Sequence, residues 1–205
     1  MTDLDTIRDD LAFMKALASD DGRPHVMAGA MFLGAGLIYG LPLFVVWATL
    51  RGLVDLSQGW TSWISLLSTA VYAPFTAWLA WRYRGTKAPP GPTSRAYAAL
   101  WGTIGLTTLV VVFVIFWAGA RLHVPMMWQV WCCVCFAMYG SAWLGVAIVT
   151  RRSAWALVAA GSYLNALVNA FLIGGPDILL GVAFGITLWL GAPGAAMMLR
   201  ARAAA

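Results

Sequence analysis

The sequence predicts an all-α integral membrane protein: a bundle of six transmembrane helices with a short amphipathic cytoplasmic helix at its amino terminus. The 205 residues are 61% hydrophobic and only 10% charged, with a mean hydropathy of +0.79. Soluble domains run about 45–50% apolar and about 25% charged, so a soluble enzyme is excluded. Six stretches reach the roughly 20 mostly apolar residues that a helix needs to cross the hydrocarbon, and none has a charge in its central portion. An open sheet is excluded, because its edges would find no partners in lipid. Nucleic-acid binding is excluded as well, since thirteen scattered Lys and Arg, at a net charge of +5, form no basic face.

Residues 1–24 read as a cytoplasmic segment. Leu4, Ile7, Leu11, Met14 and Leu17 recur at three- and four-residue steps, which makes 3–19 an amphipathic helix. Asp3 and Asp5 suit the positive end of its dipole, and Gly22 and Pro24 end it. Six of the eight acids of the chain lie here, where a signal peptide would need a basic region. A helix resting on an anionic leaflet is normally rich in Lys and Arg. This stripe is therefore expected to dock on its own bundle or on a cytoplasmic protein partner.

The expected spans are 25–49, 60–82, 96–118, 126–149, 153–173 and 177–199, so that 25–199 form the membrane domain and 200–205 a cytoplasmic tail. Residues 85–94, GTKAPPGPTS, read as a non-helical linker, given their three prolines and two glycines. Pro42, Pro74 and Pro193 fall within spans and should kink them. The small-residue steps Ala30/Gly34, Gly36/Gly40 and Gly181/Gly185 permit close helix approach, within the chain or in a homo-oligomer.

Orientation follows from the bases. Arg8, Lys15, Arg23, Arg82, Arg84, Lys87, Arg95, Arg151, Arg152, Arg200 and Arg202 fall on one side, and only Arg51 and Arg121 on the other. The positive-inside rule puts both termini in the cytoplasm. Two Lys against eleven Arg, with 21 Gly, fit a GC-rich bacterial genome, hence a bacterial inner membrane.

Tyr39-Gly40 in span one matches Tyr139-Gly140 in span four, and Trp63 to Tyr72 matches Trp155 to Tyr163 in spans two and five. A three-helix unit would have to repeat in inverted orientation, and such 3+3 repeats place binding sites near the midplane. Most of the twelve Trp fall at the two interfaces and read as anchors. Tyr39, Tyr72, Tyr139 and Tyr163 do not, and neither does Trp189. Each lies near the centre of a span, at a depth shared by Asn165 and Asn169. A phenol in hydrocarbon needs a partner, so these seven residues form the candidate ligand-binding patch. The alternative is interhelical glue, since polar side chains also hydrogen-bond across helices.

Paired catalytic carboxylates are missing: outside 1–24 the only acids are Asp55 and Asp177, both expected at the outer surface, Asp177 as a helix-terminus residue. His25 and His123 fall at opposite faces, and no Ser–His–Asp relay is visible. The chain is therefore read as no enzyme and as needing no cofactor. Soft ligands gather at the outer end of span four, namely His123, Met126, Met127, Cys132, Cys133 and Cys135. The cysteines are expected to point in different directions around one helix and to pack as small hydrophobes, with no metal assigned. Two functional readings follow. In the first, the protein binds or transports a small neutral or cationic molecule at the midplane, with aromatic faces holding a cation. In the second, it is a non-transporting accessory, sensor or scaffold subunit acting through its acidic helix.

Overall fold

A computed structural model describes residues 26–83, 92–124 and 126–203, all-helical apart from short turns. The amphipathic helix expected over 3–19 lies outside the described residues. Among the described residues six long helices follow one another: α1 (Val26–Leu50), α2 (Gln58–Arg82), α3 (Pro92–Leu122), α4 (Met127–Thr150), α5 (Ser153–Phe171) and α6 (177–203). Five of them are long and apolar enough to cross a membrane. α2 is 25 residues long.

One expectation for the 85–94 linker is corrected. α3 begins at Pro92, so 92–94 are helical. Proline is favoured in a first helical turn, where its missing N–H would have had no partner. Pro74 also sits inside a continuous helix.

The other two prolines act on the backbone before them. α1 widens into a π-helical stretch at Gly36–Gly40, just ahead of Pro42, and α6 does so at Thr187–Gly191, just ahead of Pro193. Proline lacks an N–H and its ring crowds the carbonyl four residues earlier, and a wider turn relieves that crowding. The carbonyl that Pro193 leaves unpaired belongs to Trp189. It accepts the indole N–H of Trp143 at 3.0 Å, so a fully buried Trp supplies the missing donor.

α1 and α6 cross at these two stretches. A Cβ added at Gly36 would lie 2.5 Å from the Gly191 Cα, a backbone-to-backbone contact that only glycine allows. The Thr187 hydroxyl donates to the Gly36 carbonyl across the same crossing at 3.4 Å. Beside it, Trp143 stacks on Trp155 with centroids 5.0 Å apart, and Phe136, Ile178 and Val182 form a second buried cluster. α4 packs along α5, and α6 packs on α1 and α5.

The small-residue steps are used within the chain. Gly34 takes the Phe75 ring, Gly40 the Thr187 side chain, and Gly181 and Gly185 the amides of Asn169 and Asn165. A homo-oligomer would need another face. α3 leans on α4, and no residue of its most apolar window is buried, whereas α6 has the most buried window of the five apolar helices. α3 and α6 would be equivalent in a 3+3 repeat, and their packing is unlike.

Candidate functional site

α2 packs on α1, and α3 packs on α4, but α2 and α3 hardly touch each other. Between them lies a half-open cavity of about 460 Å³, walled by α1, α2, α3, α4 and α6. Tyr39, Tyr72 and Tyr139 all line it, each about half-way along its helix. Tyr39 and Tyr72 meet edge to face at 5.3 Å. Their hydroxyls already donate, from Tyr39 to Thr69 Oγ1 at 3.4 Å and from Tyr72 to the Met31 carbonyl at 3.2 Å.

Tyr139 differs. Its ring contacts Phe136 edge-on at 6.1 Å and Trp101 at 6.2 Å. Among the described residues its hydroxyl has no hydrogen-bond partner. A phenol taken from water without a new partner loses free energy, and an occupant of the cavity could supply one. Among the described residues no Asp, Glu, Lys, Arg or His lines the wall. The lining residues offer aromatic faces, hydroxyl and thiol groups and the indoles of Trp101 and Trp131.

The other four expected residues lie elsewhere. Tyr163, on α5, lies over Gly140 and shares a 2.9 Å hydrogen bond with Ser141. Asn165 and Asn169 are 7% and 0% exposed, one helical turn apart, and their amides press on Gly185 and Gly181 of α6. The Trp189 ring fills the space over Gly161. Among the described residues Trp189 Nε1 and both polar atoms of the Asn169 amide are buried without partners. The seven residues thus form two groups, three tyrosines at the cavity and four residues in the contacts that α5 makes with α4 and α6.

Several wall residues were not expected: Phe32, Trp101, Thr108, Trp131, Cys132 and Cys135. A signal for them existed in the spacing. Phe32, Ala35 and Tyr39 on α1, and Cys132, Cys135 and Tyr139 on α4, each follow a three-then-four step that places them on one face. Cys132 and Cys135 thus share a face, contrary to the expectation that the cysteines diverge. Cys133 points away and donates to the Gln129 carbonyl at 3.4 Å. Among the described residues no group of His, Cys, Asp or Glu could hold a metal ion.

Where α1 ends and α6 begins, Asp177 does more than sit at a helix terminus. Arg51 pairs with it through Nε at 3.0 Å and through a second guanidinium nitrogen, and Trp47 Nε1 donates to it at 3.0 Å. The bond to Asp177 holds the Arg51 guanidinium above its ordinary pKa. Gln129 Oε1 accepts the Gly174 N–H at 2.7 Å, fixing the turn between α5 and α6 where Gly174 has φ +94°.

Comparison with known proteins finds no matching family, no similar curated protein and no similar solved structure.

Proposed function

We propose that this chain is a bacterial inner-membrane protein that crosses the bilayer six times, with both termini in the cytoplasm. In this reading it binds or passes a small neutral or cationic molecule in the cavity between α2 and α3. The crossing by α2 is supported by its length, about 37 Å at 1.5 Å per residue. The orientation is supported by the bases, eleven of thirteen of which fall on one side of the spans.

The binding role is carried by one observation: the mid-depth cavity, of ligand size, is lined by Tyr139, whose hydroxyl has no hydrogen-bond partner among the described residues. Helical bundles commonly place ligands between helices in this way, and intramembrane polar groups are functional candidates.

The test is to fill the cavity. A Cβ added at Gly105, which lines the wall, meets nothing within 4 Å. Native mass spectrometry of protein extracted in mild detergent should find a bound small molecule on the parent chain and none on Gly105→Phe. Equal occupancy of both, or of neither, would overturn the reading and leave the accessory-subunit alternative.

A further inference from the structure

The geometry points to a lipid-soluble ligand of the quinone class: an uncharged flat ring bearing carbonyl oxygens, reached sideways from the bilayer through the gap between α2 and α3. This rests on the cavity being a binding site, and it narrows the ligand from any small neutral or cationic molecule to one chemical class.

The first support is the way in. α2 and α3 flank the cavity and each packs on a different neighbour, so the opening lies between two helices. The exposed surfaces of these two helices are apolar. On α3, Leu106, Leu109, Val110 and Phe113 are between 56% and 68% exposed. On α2, Leu66 is 62% and Val71 53% exposed. Surfaces of this kind at mid-span are solvated by acyl chains, so a ligand dissolved in the bilayer reaches the opening without leaving hydrocarbon.

The second support is the wall. Among the described residues no carboxylate lines the cavity to balance a cation, and a charged ligand at this depth would carry a desolvation cost of several kcal/mol. Cation–π contacts return only about 2 kcal/mol even when desolvated. A neutral ring incurs no such loss. It meets Trp101, Trp131, Phe136 and three tyrosines, which offer both faces and edges.

The third support is the hydroxyl. Tyr139 is the one tyrosine of the cavity whose O–H makes no hydrogen bond to a described residue. A ring carbonyl accepts from it without bringing a donor of its own that would need pairing.

The experiment titrates the whole chain, in phosphatidylcholine nanodiscs, with decylubiquinone, following quenching of tryptophan fluorescence, for which Trp101 and Trp131 are placed in the wall. Decanol serves as the ringless control and tetraethylammonium as the water-soluble cation. Saturable quenching by the quinone is expected, absent with decanol and lost in Gly105→Phe. In Tyr139→Phe, which keeps the ring, the affinity should fall roughly fivefold, the equivalent of one hydrogen bond of about 1 kcal/mol. Quenching that does not saturate, or that is the same in all three chains, reports partitioning into lipid and overturns the inference. Saturable binding of tetraethylammonium in place of the quinone overturns it while leaving the binding role intact. Binding of neither, together with identical native masses for parent and Gly105→Phe, overturns both.

Discussion

The two sides of this bundle use similar residues to opposite ends. Where α6 meets α1 and α5, glycines on one helix face glycines or amides on the other, and the backbones close until no space is left. Where α2 and α3 stand on either side of the cavity, aromatic rings face the gap and the helices stay apart. Polarity follows the same division. Asn165 and Asn169 are sealed against Gly185 and Gly181, whereas Tyr139 lines the open cavity. A polar side chain at mid-span becomes packing when a small residue lies opposite, and becomes a candidate site when a ring does.

The comparison breaks most sharply with one substitution on each side. Gly36→Leu would force a side chain into backbone, since its Cβ would begin 2.5 Å from the Gly191 Cα. Overpacking of this kind costs about 1–3 kcal/mol and more where no neighbour can move. At the scaling of a 150–250-residue domain, about 3 kcal/mol lowers Tm by roughly 6–12 °C. Gly105→Phe on the open side should shift Tm by less than roughly 2 °C, because nothing lies within 4 Å of the added Cβ. Thermal unfolding of both variants in one detergent decides it. Equal losses would mean that the cavity side is as tightly constrained as the crossing.

A smaller effect tests whether the asparagines are glue. Gly181→Ala would place a methyl 2.1 Å from the Asn169 Oδ1, so the alanine should destabilise the protein. Asn169→Ala should destabilise it too, by opening a void. In the double variant the new methyl occupies the space the amide vacated, and about 1 kcal/mol should return as coupling. A double-mutant cycle of Tm values measures that coupling, and binding at the cavity should be unchanged throughout. Loss of binding in Asn169→Ala alone would join the two regions into one site.

How much of this was legible in the sequence depends on the kind of fact. The long apolar helices of the described residues were legible, since apolar length is a property of the chain itself, whereas the start of α3 at Pro92 was not, and the helix expected over 3–19 lies outside the described residues. Helix pairing was not legible. Tyr39, Tyr72, Tyr139 and Tyr163 are alike in depth and composition, and only the facing residue separates them: open volume for Tyr139, Gly140 and Ser141 for Tyr163. The cavity wall could have been read as stripes on α1 and α4, but no periodicity says which stripe faces which. Pro42 and Pro193 showed where the backbone must yield, yet not that it would widen into π-turns, nor that the Trp143 indole would satisfy the freed carbonyl 46 residues along the chain.

The smallest effect sits where α1 ends and α6 begins, at the exposed end of the dense side. Arg51 and Asp177 pair there with side chains 45% and 38% exposed. Exposed pairs contribute little, because solvent and salt screen them and ordering two side chains opposes the gain. Arg51→Gln should therefore lower Tm only at low ionic strength, and the difference should vanish near 1 M salt, where charges are screened within about 3 Å. The hydrogen bond from Trp47 to the same carboxylate is partly buried and spans 3.0 Å, so Trp47→Phe should cost the same at both salt levels. Tm measured at the two ionic strengths separates them. Were the loss in Arg51→Gln to persist in high salt, the guanidinium would be acting through contact and not charge, and the tight packing of the α1–α6 crossing would extend to the last turn of α1.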